Sequence, residues 1–365
     1  MVRAKSVFCC CSLDLKKTAF RELNNFMLLR NTSGCNTPSS QFESVAFIAS
    51  HAIGDTLVSM VIVRNILRNG IPITVFGSKA MALRMWFPDV LIKDLPPIDE
   101  LGATLSGFQV VMQMQCDQPF ERLARMHPRV ITLRDIEFGS RKGCMGERFL
   151  KFCKEDLQLK EVSQEIGLHA PGGARHRRYM QRVVIHPEAS TIDKRWTKAQ
   201  FIRLAQDLRA RDFEVYFVIA PHERDRWADL AFHKISAPRF PDLSAMATWL
   251  YESGWFVGND SGIGHLAAGL GIPSVIIFRR RGVAERWRPV WGAVRVVLPW
   301  QWVPTAYLKE LTWRRTLTIR RVLRALNRLQ IESSYCHGTK TSFGVAERLI
   351  AISSRLKRLF LRNRI

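Results

Sequence analysis

From Val45 to Phe278 the chain alternates short apolar, β-prone runs with stretches of helical period, and few architectures accept that pattern. Val45-Ala46-Phe47-Ile48-Ala49 is followed by Leu57, Met60, Val61, Val63 and Leu67 at helical spacing, with Gly70 as the stop. Ile73–Phe76, Val90–Ile92, Gln109–Met112 and Val130–Leu133 read as further strands. The pattern breaks at Ala170-Pro171-Gly172-Gly173-Ala174 and then restarts. Arg182–His186, Glu214–Ile219, Trp255–Val257 and Ser274–Phe278 read as strands, with helices predicted over Lys198–Arg209, Ser244–Glu252 and Gly262–Gly269. Strands separated by helices imply parallel sheets with crossover connections. The chain therefore reads as two α/β domains, residues 44–172 and 173–330. They lie between an N-terminal extension, 1–43, and a basic helical tail, 331–365. The last predicted helices cover Arg314–Leu329 and Val345–Leu361.

Composition narrows the function. The 365 residues are 47% hydrophobic, enough for two full cores. No run of about 18 apolar residues is present, and Ser6–Cys11 is too short for a signal-peptide core. The expected location is the cytoplasm. Eight cysteines contain no C-x-x-C pair and no zinc spacing, as expected of reduced thiols. The net charge is +23 and most of the excess lies after Phe278, in stretches such as Arg279-Arg280-Arg281. Such a bias suits an anionic partner: nucleic acid, a membrane face or a phosphorylated substrate. No helix-turn-helix, zinc-finger or aromatic RNA-binding signature accompanies it, so no specific nucleic acid is expected.

Three segments combine chemistry with a strand–turn–helix context. Ile53-Gly54-Asp55 follows the first strand and opens a helix. Gly54 permits a tight turn, and Asp55 is either an N-capping carboxylate or a base facing the crevice at the strand ends. His186 to Trp196 again links a strand to a helix. Ser190 and Thr191 offer hydroxyls and Lys194 a cation, a set suited to phosphate oxygens or simply to a polar loop capped by Thr197. Gly258-Asn259-Asp260-Ser261-Gly262-Ile263-Gly264-His265 is the richest. Its glycines let a ligand approach the backbone, and the helix start presents free N–H groups to anionic oxygen. Glu223 has a ribose-binding and a surface reading, and the arginines at 279–281 a steering and a solvated one.

Together these segments resemble glycosyltransferase family 9, the ADP-heptose:lipopolysaccharide heptosyltransferases, from about Val45 to about Gly292. The resemblance implies a GT-B fold, two Rossmann-like domains with parallel sheets facing across a cleft, the first binding acceptor and the second the nucleotide sugar. It implies that Asp55 is the general base and that Lys194 contacts the donor phosphates. Gly54, Ser190, Thr191, Glu223, Asp260, Ser261, Gly262 and His265 are then substrate-binding residues. Val61 stands where the family usually has a proline, and residues 90–168 match poorly. The implied reaction is an inverting transfer of a heptose or related sugar from an ADP-sugar to the phosphorylated lipid A inner core, at the cytoplasmic face of the inner membrane. No cofactor and no metal are expected, since Lys194 and backbone N–H groups can stabilise the leaving diphosphate. A nucleic-acid-binding protein and an inactive nucleotide-sugar-binding relative are the alternatives.

Overall fold

The computed structural model describes residues 43–114, 123–133, 136, 142–300, 302 and 305–338. The extension up to residue 42 and the predicted helix over 345–361 lie outside the described residues. The described chain builds two parallel sheets of five strands each.

The first sheet holds β1 (Val45–Ile48), β2 (Ile73–Phe76), β3 (Leu91–Lys93), β4 (Val110–Gln113) and β5 (Val130–Thr132), in the order β3-β2-β1-β4-β5. Helix α1 (Ile53–Arg68) and helix α2 (Ile98–Leu105) cross over between strands. Strand β1 pairs in register with both β2 and β4 and is wholly buried, which is why its sequence is a continuous apolar run. Helix α1 is buried along nearly its whole length, including Leu57, Met60, Val61 and Ile66. Helix α3 (Met145–Lys151) packs on it, and the following segment is tied down by Asn65 and Asn69, which accept from the amides of Ser163 and Lys160 at 2.7 and 2.9 Å.

The second sheet holds β6 (Tyr179–His186), β7 (Glu214–Phe217), β8 (Ser253–Asn259), β9 (Ser274–Ile277) and β10 (Val294–Val297), in the order β10-β9-β8-β6-β7. Its helices are α4 (Lys198–Arg209), α5 (Leu243–Tyr251), α6 (Gly262–Gly269) and α7 (Arg281–Trp287). Helices α8 (Ala306–Thr316) and α9 (Ile319–Gly338) follow. The core of this lobe joins Val183, Phe201, Phe217, Val257 and Val275 to Trp313, Val322, Leu326 and Leu329.

Two expectations change. The helix predicted over Arg314–Leu329 is two helices, because Leu317 turns extended (φ −86°, ψ 104°) while its side chain stays buried. Helix α9 also runs straight through residue 330. The tail thus does not begin at 331: Leu323, Leu326 and Leu329 fix the helix to the core, and its last turns continue from that anchor. Strand β10 was not foreseen. Its residues Val294, Arg295 and Val296 are only partly buried, and an edge strand of four residues with a charge in it carries little apolar signal.

In each sheet the strand order reverses once, between β1 and β4 and between β6 and β8. Ligands of open α/β sheets sit beyond the carboxyl ends of the strands at such points. The loops after β1, β6 and β8 are the three segments singled out above. Among the described residues no helix is long and apolar enough to cross a membrane.

Candidate active site

The three loops meet in one cleft of about 540 Å³ between the lobes. The first lobe contributes Ala52, Ile53, Gly54, Asp55 and Lys79. The second contributes, among others, His186, Ser190, Lys194, Glu223, Asp260, Ser261, Gly262 and His265.

Asp55 lies in the first turn of α1, where the positive helix end favours a carboxylate. Its loop is preset. Ser50 Oγ accepts from the Ala52 amide at 3.0 Å and donates to Asp55 Oδ2 at 3.4 Å, while Thr56 Oγ1 donates to the Ser50 carbonyl at 2.8 Å. Burial pushes the Asp55 carboxyl above its ordinary 3.8, opposed by the Ser50 bond and by the Lys194 charge. A carboxylate raised in this way is a better proton acceptor near neutral pH.

Lys194 sits on the loop after β6, and a layer behind the cleft holds that loop. Asn259 at the end of β8 is fully buried. Its Nδ2 donates to the Pro187 carbonyl at 2.6 Å, and its Oδ1 accepts from the Trp196 amide at 3.1 Å. Glu188, 1% exposed, takes Arg195 Nε at 2.8 Å, Arg226 Nη1 at 2.8 Å and Trp227 Nε1 at 2.7 Å. Trp196 Nε1 donates to the Arg314 and Leu317 carbonyls, each at 3.2 Å, fastening the loop to α8. Lys194 Nζ therefore emerges from a fixed base, 3.5 Å from Asp260 Oδ2.

Asp260 is raised by burial and further by the neighbouring Asp55 charge, with Lys194 lowering it. Ser261 caps α6, its Oγ accepting from the Gly264 amide at 3.4 Å. The first N–H groups of α6 have no acceptor within the helix and face the same space as those of α1. Glycine at both starts allows this. A β-carbon on Gly262 would stand 2.9 Å from the Gly54 nitrogen and 2.9 Å from Ile53 Cβ. His265 is buried and its pKa is lowered to about 4, chiefly by burial and then by Lys194. It is neutral at physiological pH, and its Nδ1 finds no hydrogen-bond partner among the described residues.

Of the residues read from sequence, Thr191 alone does not line the cleft. Its hydroxyl bonds the Asp193 carboxylate and helps hold that carboxyl below its ordinary value. Glu223 lines the cleft while Oε2 accepts from the Ala220 amide at 3.1 Å. The arginine run is committed elsewhere. Arg279 pairs with Asp193 and with Glu310, and Arg280 with Glu310, so two of the three serve as struts between β9, the Lys194 loop and α8. Sequence reasoning missed Lys79 and Trp287, which line the cleft without any motif around them. It missed Asn259 and Glu188 as positioning residues although both stand inside the segments it quoted.

Two Rossmann-like lobes, with Lys194 and the α6 start on one facing the Asp55 carboxylate of the other across the cleft between them, make this a GT-B fold. Residues 145–304 match the model of glycosyltransferase family 9 (heptosyltransferase). No curated protein matches the sequence. Solved structures share its fold. The Escherichia coli ADP-heptose lipopolysaccharide heptosyltransferase II superposes with a TM-score of 0.62 at 16% identity, covering 80% of this chain and 99% of that one. The Escherichia coli heptosyltransferase WaaC with ADP gives 0.58 at 14% identity, over 78% and 99%. A family 9 glycosyltransferase from Veillonella parvula gives 0.62 at 13%, over 80% and 98%.

Proposed function

We propose that the protein transfers a heptose or related sugar, with inversion, from an ADP-sugar to a phosphorylated lipid A inner-core acceptor at an anionic membrane surface. The observation that carries this reading is the opposition of Asp55, on one lobe, to Lys194 and the α6 start, on the other, within one cleft. The donor diphosphate lies against Lys194, Ser190 and the N–H groups of α6. Glu223 receives the ribose hydroxyls. Asp55 takes the proton of the acceptor hydroxyl, whose oxygen attacks the anomeric carbon as the bond to the diphosphate breaks. Lys194 and the helix N–H groups hold the charge that develops on the departing oxygen, an arrangement typically contributing about 3–4 kcal/mol per direct donor. The helix dipole alone contributes about 0.3–1 kcal/mol, so the direct donors dominate. Asp260 holds Lys194 by its charge, and His265, neutral at physiological pH, adds no second positive charge beside it. The choice of ADP-heptose follows the family match over residues 145–304 and the ligands bound by structurally similar proteins, an ADP complex and an ADP-2-deoxy-2-fluoro heptose complex of the Escherichia coli heptosyltransferase WaaC.

A thermal-shift series tests the donor. ADP and ADP-heptose should raise the melting temperature, by an amount that grows with ligand concentration, and UDP and GDP should not. Equal stabilisation by all three nucleotides, or by none, sinks the assignment.

A further inference from the structure

An exposed apolar strip borders the cleft on the second lobe. Strand β10 runs parallel to β9, so its end lies at the sheet edge that carries the Lys194 loop. Trp300 and Trp302, on the segment leaving that end, are 62% and 88% exposed. Helix α8 adds Tyr307, Leu308 and Leu311, all exposed and spaced three and four apart, so that they share one face. The Lys194 loop adds Ile192 at 74% exposure. Arg314 Nη2 donates to the Ile192 carbonyl at 2.7 Å and holds loop and helix together. Exposed Arg315, four residues after Leu311, shares their helix face, and exposed Arg281 follows Arg280, which is itself paired with Glu310 of the same helix. Single apolar side chains on a surface need no explanation, but a contiguous set beside a site does.

We infer that this strip is a docking surface for an anionic lipid bilayer, with its aromatic rings at headgroup depth and its arginines on lipid phosphates. The inference deepens the membrane reading above, yet its geometry stands without sugar transfer. Tryptophan and tyrosine suit the interface because an apolar ring carries a polar edge. Aliphatic side chains go deeper, and the guanidinium groups are drawn to anionic lipid, the combination that lets a protein lie on a membrane without spanning it. Two other occupants fit less well. A second copy seated on the same patch by a two-fold axis would bring Arg281 and Arg315 toward their equivalents. A single-stranded nucleic acid would use the aromatic rings and the arginines but has no use for Ile192, Leu308 and Leu311, which cannot stack on bases. Docking here turns the cleft of the second lobe toward the bilayer, with the Lys194 loop at the boundary.

The test uses the full chain and co-sedimentation with vesicles of phosphatidylglycerol and phosphatidylcholine, against phosphatidylcholine alone, at low and high salt. Wild type should pellet with the anionic vesicles and keep a salt-resistant fraction. Trp300→Ser/Trp302→Ser should lower the partition coefficient about tenfold or more and remove that fraction. Arg281→Glu/Arg315→Glu should remove the salt-sensitive part. Neither pair should alter the thermal shift given by ADP, which reports folding and the nucleotide site separately. Loss of the ADP shift in wild type, with vesicle binding as described, would defeat the nucleotide reading and leave the docking surface intact. Three outcomes overturn the inference: no binding of wild type to anionic vesicles, unchanged vesicle binding by the tryptophan pair, or a tryptophan pair that loses only self-association or only binding to a single-stranded oligonucleotide.

Discussion

Gly262 of the second lobe lies against Gly54 of the first so closely that a β-carbon there would meet the Gly54 backbone nitrogen at 2.9 Å. The two helices that begin at this point make the most extensive helix–helix contact among the described residues. Closeness of the backbones brings two sets of unsatisfied N–H groups to one volume, and it also sets how far apart Asp55 and Lys194 stand.

The contact is asymmetric, and the asymmetry is testable. Gly262→Ala presses on backbone and should cost about 1–3 kcal/mol, with a fall in turnover as the lobes are wedged apart. A β-carbon on Gly54 would stand 3.1 Å from the buried His265 ring and 3.4 Å from the Gly262 Cα, with no backbone atom nearer than that. Gly54→Ala should therefore cost less than Gly262→Ala, the ring giving by a few tenths of an ångström. Melting curves of the two variants, measured side by side, check the order.

Asp55 and Lys194 should separate in kinetics. Asp55→Asn removes the proton acceptor and should lower kcat by about 10²–10⁴ while nucleotide affinity stays near wild type. Lys194→Ala should lower kcat by about 10²–10³ and weaken ADP binding as well. Wild-type turnover in Asp55→Asn would reduce Asp55 to a helix-start carboxylate. Because burial raises the Asp55 pKa, the acid limb of kcat/KM should fall above the ordinary aspartate value of 3.8 and should flatten in the asparagine variant.

His265 makes a different pH prediction. Its pKa in the folded protein is about 4, against 6.5 when exposed. A depressed value means that the unfolded chain binds the proton first, so this contribution to stability is present above pH 6.5 and is lost as pH falls toward 4. The full effect is on the order of 3 kcal/mol. Asp55 and Asp260, both raised, act in the opposite sense: their contribution is present below 3.8 and is lost as pH rises through their folded values. The slope of unfolding free energy against pH between 6.5 and 4 should therefore be shallower in His265→Gln than in wild type. Identical slopes would show that the ring is not held neutral.

Glu188→Ala leaves the buried Trp227 Nε1 without an acceptor and half-buried Arg195 without its carboxylate, and should cost about 1–3 kcal/mol. The same loop carries Lys194, so ADP affinity should fall together with stability. Glu188→Gln, which keeps an acceptor for Trp227, should recover part of both. Calorimetric ADP titrations of the two variants distinguish this from a defect in stability alone.

The alternation of apolar runs and helical periods was enough to place nine of the ten strands, and the signal is most continuous in β1, β2, β4, β8 and β9, which are buried along their whole length. Edge strand β10 escaped: it is half-exposed like the edge strands β3, β5 and β7, and an arginine interrupts its four residues. The cleft was legible where chemistry stands next to a strand end, as at Asp55, Lys194 and Asp260. It was not legible where a residue reaches the site from an unremarkable context, as Lys79 does, or supports it from behind. Nothing in the sequence around Glu188 marks its role, because two of its three partners, Arg226 and Trp227, stand far along the chain. Thr191 shows the converse error, a hydroxyl adjacent to the right residues but turned to Asp193.

The Asn259 staple has a kinetic meaning. A loop already tied to β8 and α8 spends its configurational freedom during folding, and an incoming pyrophosphate does not have to arrest a wandering lysine. Capture of the nucleotide can then approach the rate of encounter, leaving the slower motions of the enzyme to the acceptor side and to departure of the product.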